Sequence, residues 1–193
     1  MKICIASNNP HKVQEIKSIL NNRFEIISLE GINCTDELPE TQKTLEGNSL
    51  QKAEYIFKKF KVNALADDTG LEVVSLDGAP GVDSAMYAGN HRNNEGNISL
   101  LLKNLEGKTN RKAQFRTIIS LIINGRTKQF EGVVKGEIIK EKRGNQGFGY
   151  DAIFMPSGCQ KTFGEMGEEE KNKISHRGIA IRKLAQYLNG LEK

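Results

Sequence analysis

Two adjacent carboxylates, Asp67 and Asp68, interrupt what otherwise reads as a buried strand. The apolar run Ala64-Leu65-Ala66 precedes them, and a second run from Leu71 to Leu76 follows Thr69-Gly70. Successive strand side chains point to opposite faces. At most one of the pair therefore faces a shared site easily, while the other holds backbone or braces a neighbour. A carboxylate at the end of a buried strand is costly unless it is paired, hydrogen-bonded or bound to metal. The alternative is that Asp67-Asp68-Thr69-Gly70 is only a turn, since Asp, Thr and Gly are common turn formers. On this stretch alone the two readings stand level.

A chain of 193 residues suits one large domain, lobed or not, with ample core. Its net charge of +4 suits an anionic small ligand but lacks the dense basic patch of a dedicated nucleic-acid binder. Cys4, Cys34 and Cys159 are far apart and match neither a disulfide framework nor zinc spacing. They read as reduced thiols, and a cytoplasmic location is expected. Met1 runs straight into a strand pattern, so no signal peptide is expected. No apolar run approaches transmembrane length, so no membrane partner is expected either.

Residues 2–6 read as a strand, and Val13, Ile16, Ile19 and Leu20 then recur at helical spacing. Between them lies Ser7-Asn8-Asn9-Pro10-His11-Lys12, with Asn9 placed as N-cap and Pro10 as first helical residue. A strand, a tight loop and a helix N-terminus offer N–H groups to an anion. A bound phosphate would compensate for Lys12 in the first turn, where a cation is otherwise unfavourable; an ordinary solvated lysine is the alternative. Phe24–Leu29 reads as a second strand. A polar loop carrying Glu40 follows, then a helix from Leu45 to Phe60 on which Glu46, Asn48 and Lys52 share one side. Asn94–Leu105 reads as a helix, and Ala113–Ile123 and Lys128–Lys140 as long strands joined by an Asn124-Gly125 hairpin. Gly144-Asn145-Gln146-Gly147-Phe148-Gly149-Tyr150-Asp151 is a glycine-rich loop able to approach a ligand closely. A strand over Ala152–Met155 follows it. Glu168–Lys173 reads as a solvated helical charge run, and Ser175-His176-Arg177 opens a last helix that Gly190 ends.

Several features converge. Lys12, Lys52, Lys171 and Arg177 are candidate phosphate binders. Asp68 with Glu40 suits Mg²⁺, which takes few carboxylates and completes its octahedron with water and phosphate oxygens. Phe148, Asp151 and His176 are suited to reading a base.

These residues stand in motifs that resemble the inosine triphosphate pyrophosphatase family, the XTP/dITP diphosphatases. The matching pieces are Ser7 to Lys12; Leu38-Pro39-Glu40-Thr41; Glu46-Gly47-Asn48 with Lys52-Ala53; Ala66 to Leu71; Gly78-Ala79-Pro80-Gly81 with Ser84-Ala85; Gly147 to Asp151; and Lys171 with Ser175-His176-Arg177. They occur in family order from end to end. The resemblance implies an α/β fold: a single two-lobed domain over residues 1–193, with a long bent central mixed sheet, helical lobes on either side and a nucleotide cleft between them. It also implies a homodimer, Mg²⁺ dependence, and hydrolysis of ITP, dITP and XTP to the monophosphate and pyrophosphate. Carried over residue by residue, Asp68 is the proton acceptor and with Glu40 binds Mg²⁺. Ser7, Asn8, Asn9, Pro10, His11, Lys12, Lys52, Thr69 and Lys171 meet the triphosphate or the metal shell. Phe148, Gly149, Tyr150 and Asp151, with His176 and Arg177, hold the base.

The chain departs from the family pattern at Thr69, where Ser is usual, at Met86, where Arg is usual, and at Ala152, where Pro is usual. Two other functions remain open at this point: a pyrophosphatase with another base preference, and a catalytically silent nucleotide-binding module. The retained carboxylates Asp68 and Glu40 weigh against a pure binder of polyanions.

Overall fold

A computed structural model describes residues 2–20, 24–89 and 93–191. The strands are β1 (Lys2–Ile5), β2 (Glu25–Ile27), β3 (Asn63–Val73), β4 (Pro80–Gly81), β5 (Lys112–Ile123), β6 (Arg126–Ile138) and β7 (Phe154–Pro156). The helices are α1 (Pro10–Leu20), α2 (Leu45–Phe60), α3 (Asn94–Asn104), α4 (Glu168–Ile174) and α5 (His176–Leu191). Among the described residues the strands form one seven-stranded sheet in the order β2-β1-β3-β5-β6-β7, with β4 pairing β3. The sheet is mixed: β1 runs parallel to β2 and β3, whereas β3–β4 and β6–β7 are antiparallel.

Residues 2–68, 117–132 and 177–191 form one unit, and 69–116 with 133–176 a second. In the first unit the strands are covered on both faces, as parallel strands require. Ile3, Ile5, Leu65, Ile119 and Leu121 face α1 and α5 through Ile16, Leu20, Ile181, Leu184 and Leu188. Cys4, Ala6, Ala64, Ala66 and Ile122 face α2 through Ala53 and Ile56. Burial pushes the Cys4 thiol up to about 12, with Cys34 adding to it. The second unit packs Leu71, Val73, Ala113, Phe115 and Ile138 against Ile98 and Leu101 of α3, against Leu105 just after it, and against Phe154, Phe163 and Met166.

The bounds of α2 are those read from the sequence. Thr44 caps its N-terminus, accepting from the Gly47 N–H, and Lys61 closes it at φ 56 with its N–H on the Phe57 carbonyl. Asn124 and Gly125, at φ 48 and 77, make the expected tight hairpin turn.

Several expectations are corrected. The chain does not turn at Asp67-Asp68-Thr69-Gly70. β3 runs through all four, because both carboxylates find cations and the backbone stays in the ladder. It then ends at Val73, and 74–76 form a 3-10 turn instead of continuing the strand. β2 is shorter than Phe24–Leu29. The strand expected over Ala152–Met155 begins only at Phe154, after a 3-10 turn at Asp151–Ile153, and reaches Pro156. β7 is an edge strand, where a proline is tolerated. Gly190 does not end the last helix but lies inside it, in the terminal turn where its conformational penalty is least felt. The charge run at α4 is not wholly solvated: Lys171 is buried within it.

Candidate active site

The alternation of β3 distributes the aspartate pair. Leu65 faces α1 and α5, and so does Asp67 two residues on; Ala64 and Ala66 face α2, and so does Asp68. The helices meet each carboxylate with cations. Lys12 of α1 reaches Asp67 Oδ2 at 3.1 Å, and Arg177 Nε of α5 reaches the same oxygen at 3.2 Å. The other arm of that guanidinium pairs with Glu15 of α1. All but Lys12 in this group are almost fully buried. On the opposite face, Lys52 of α2 pairs with Asp68 Oδ1 at 3.3 Å and with Glu40 Oε1 at 2.5 Å.

These surroundings drive the neighbours apart. Burial pushes the Asp67 carboxyl up, but Lys12, Arg177 and Lys52 together hold it well below the usual carboxylate range. Asp68 is raised: burial dominates, and Glu40 and Asp67 add to it against Lys52 and Lys12. Burial lowers the Lys12 ammonium, whereas Lys52 is raised because Asp68, Glu40 and Asp67 outweigh its desolvation. The two neighbouring acids thus differ in proton affinity: Asp67 is held as an anion by its cations, and Asp68 is the more readily protonated.

The loop before α1 is built by its own side chains. Ser7 Oγ accepts from the Asn9 N–H at 3.2 Å. Asn9 Oδ1 caps α1, accepting from the N–H groups of His11 at 3.0 Å and Lys12 at 3.4 Å. Asn8, Pro10 and His11 are exposed. The cap engages first-turn donors that the sequence alone left open to an anion.

The second unit gathers another set. Lys171 Nζ donates to Asp151 Oδ2 at 2.8 Å and lies 5.0 Å from the centre of the Phe148 ring. The Phe148 N–H donates to that same oxygen at 2.8 Å. Gly147 lies beneath it at φ 74, and a Cβ there would collide with Asp151 Oδ2. Gly149 is also left-handed, at φ 60. The Tyr150 hydroxyl donates to the Ser84 carbonyl at 2.9 Å, and burial makes it a weaker acid than an ordinary phenol. His176 stacks on Phe115, ring centres 4.5 Å apart and 17° from parallel. Thr69 is half-buried.

The structure thus brings Lys12, Lys52, Glu40, Asp68 and Arg177 together within one unit, and Phe148, Tyr150, Asp151, Lys171 and His176 within the other. Sequence reasoning missed Glu15 and Phe115. Glu15 left a faint signal as an acid beside the core residue Ile16; Phe115 looks like any aromatic in an apolar strand.

The residues present fit a hard divalent cation. Among the described residues Asp68 Oδ2 is buried with no hydrogen-bond partner, and Glu40 converges with Asp68 on one ammonium. Among the described residues no group of three or more His, Cys, Asp or Glu side chains is placed to hold a metal. Mg²⁺ needs only one or two carboxylates.

The sheet and its helices are those of the Ham1 proteins of known structure. The chain superposes on the Staphylococcus aureus Ham1 protein with a TM-score of 0.91 at 41% identity, over the whole of both chains. The Coxiella burnetii HAM1 protein gives 0.91 at 36% identity, over 98% of this chain and 99% of that one. The model of the Ham1 family matches residues 3–187, and the chain belongs to that family. It is 48% identical to the dITP/XTP pyrophosphatase of Christiangramia forsetii, over 98% of this chain and all of the relative. With the dITP/XTP pyrophosphatase of Bacillus subtilis it shares 45% identity over 95% of each.

Proposed function

We propose that this chain hydrolyses the triphosphates of deaminated purines, dITP, ITP and XTP, to the monophosphate and pyrophosphate, and so clears them from the nucleotide pool. The observation that carries this reading is the pairing of a raised, partly unsatisfied Asp68 with Glu40 around Lys52. The names of its relatives point the same way.

In this reading Asp68 and Glu40 hold Mg²⁺ with phosphate oxygens and water. When bound, the ion neutralises phosphate charge and makes a coordinated water more acidic. Asp68 accepts the proton of the water that attacks the α-phosphorus, and the bond to the bridging oxygen breaks as pyrophosphate leaves. Lys12 and Lys52 neutralise phosphate oxygens, and positioning supplies most of the rate. The Ser7–Lys12 loop and Thr69 complete the phosphate contacts.

Base selection falls to Phe148, Gly149, Tyr150 and Asp151, with His176 and Arg177, and Lys171 remains with the phosphate contacts. Hypoxanthine presents a keto acceptor and an N1–H donor, and adenine reverses both. A site built for the first leaves buried groups unpaired against the second. The Arg177 guanidinium is already engaged by Glu15 and Asp67. In this reading the chain works as a homodimer, as the family resemblance implies, and in the cytoplasm, as its three unpaired cysteines suggest.

The test is pyrophosphate release from dITP, XTP, GTP and ATP side by side, with Mg²⁺ and with EDTA. Release from dITP and XTP alone, abolished by EDTA, is expected. Release from all four retains the chemistry and refutes the base selection. No release from any identifies a silent nucleotide-binding module.

A further inference from the structure

The inference rests on Glu40 as a metal ligand. Glu40 sits on residues 33–44, which contain no helix or strand. A ligand on irregular chain is imprecise unless the surrounding residues fix it. α2 supplies such a support. Asn48, Gln51, Lys52, Tyr55 and Lys59 stand at i, i+3, i+4, i+7 and i+11 and so share one face of the helix. They meet the loop in reverse order. Asn48 Oδ1 accepts from the Gln42 N–H at 2.8 Å. Gln51 meets Thr41, and Lys52 meets Glu40. The Tyr55 hydroxyl and Lys59 Nζ both donate to Asp36 Oδ2, at 2.9 and 2.6 Å.

We propose that this row of α2 side chains positions the metal ligand Glu40, and that Gln51 is the positioning residue on which its aim depends. Gln51 makes two bonds to the residue that follows Glu40. Its Oε1 accepts from the Thr41 N–H at 3.0 Å, and its Nε2 donates to Thr41 Oγ1 at 2.8 Å. Holding both backbone and side chain of Thr41 fixes the direction in which Glu40 leaves the chain. Lys52 cannot do this alone. An ammonium is a compact point charge on a flexible stem and follows the carboxylate wherever it lies. Gln51 touches neither metal nor substrate, so its effect appears in metal affinity and not in the chemical step.

The experiment uses the full chain with Gln51→Ala, Thr41→Val, the double variant and Glu40→Gln. Mn²⁺ alone is titrated onto each protein and the free ion read by electron paramagnetic resonance. The Mg²⁺ half-saturation of pyrophosphate release from dITP is measured in parallel. Removing a group that orients a metal ligand typically weakens metal binding by about ten- to a hundredfold, and these bonds are partly solvated. Gln51→Ala is therefore expected to weaken Mn²⁺ binding and raise the Mg²⁺ half-saturation by about three- to tenfold, with kcat at saturating Mg²⁺ kept within about twofold. Thr41→Val alone is expected to do less, and to add nothing in the Gln51→Ala background, because the two residues form one pair. A purely structural Gln51 moves only the thermal midpoint and leaves both metal measures unchanged; that result overturns the inference. If Glu40→Gln itself leaves Mn²⁺ binding unchanged, the metal reading fails and takes the inference with it. If Glu40→Gln acts and Gln51→Ala does not, the inference alone fails.

Discussion

Replacing Asp68 by Asn separates the chemistry of this side chain from its packing. The amide keeps the shape but cannot take a proton. In the folded protein burial raises the Asp68 carboxyl above its ordinary value. An acid raised on folding stabilises the fold while protonated, and that contribution is lost as pH rises through its folded value. At neutral pH its charge is thus a net cost, and a neutral isostere removes no stabilising charge. Lys52 keeps Glu40 at 2.5 Å. The thermal midpoint is therefore expected to hold or to rise by no more than about 4 °C, about 1 kcal/mol for a chain of this size. Turnover is expected to fall by about 10²–10⁴, the contribution of a positioned general base. The assay is Mg²⁺-dependent pyrophosphate release from dITP, with the midpoint and nucleotide binding measured on the same preparation. Turnover within about tenfold of wild type refutes the proton-acceptor assignment. A midpoint more than about 6 °C lower refutes the reading of its charge as a net cost.

Glu15→Ala strips the nearly inaccessible Arg177 of one partner, and is expected to cost about 3–5 kcal/mol in a denaturant titration; a loss under about 1 kcal/mol refutes that cost. Asp67, held low by its cations, adds stability that is present above its unfolded value of 3.8 and lost as pH falls through its folded value. Asp67→Asn is accordingly expected to be less stable at pH 7, with a difference that shrinks in strong acid; a pH-independent difference contradicts this. Asp151→Asn is expected to narrow the preference for ITP over ATP by about tenfold, since the carboxylate orders both Lys171 and the Phe148 amide. An unchanged ratio of kcat/KM values removes Asp151 from base selection.

Much of this was legible along the chain because the signals were local. Asn9 capping α1, and Asn124-Gly125 closing the hairpin, announce their geometry within a few residues. The aspartate pair is different. Whether Asp67 and Asp68 make a turn or stay in a strand depends on Lys12, Glu15, Lys52 and Arg177, which arrive from three helices distant in sequence. No local rule names those partners. Lys171 hid within a run of charges that favours a solvated reading, yet it turns inward to Asp151 and the Phe148 ring. The resemblance supplied the candidate residues and their roles but not the cations around the pair, and those cations are what set the environment of Asp67 apart from that of Asp68.

The placement of the two acids on one strand makes β3 sensitive to length rather than to composition. Deleting or inserting a single residue just upstream would exchange their addresses, presenting Asp68 to α1 and α5 and Asp67 to Lys52. A change of two residues would restore the faces but displace both acids by about 6.8 Å along the strand. Overpacking the fully buried Ala64 or Ala66 costs about 1–3 kcal/mol but keeps both carboxylates on their faces. A frame change does not, because parity along the backbone, and not the identity of either side chain, decides which carboxylate meets which cations.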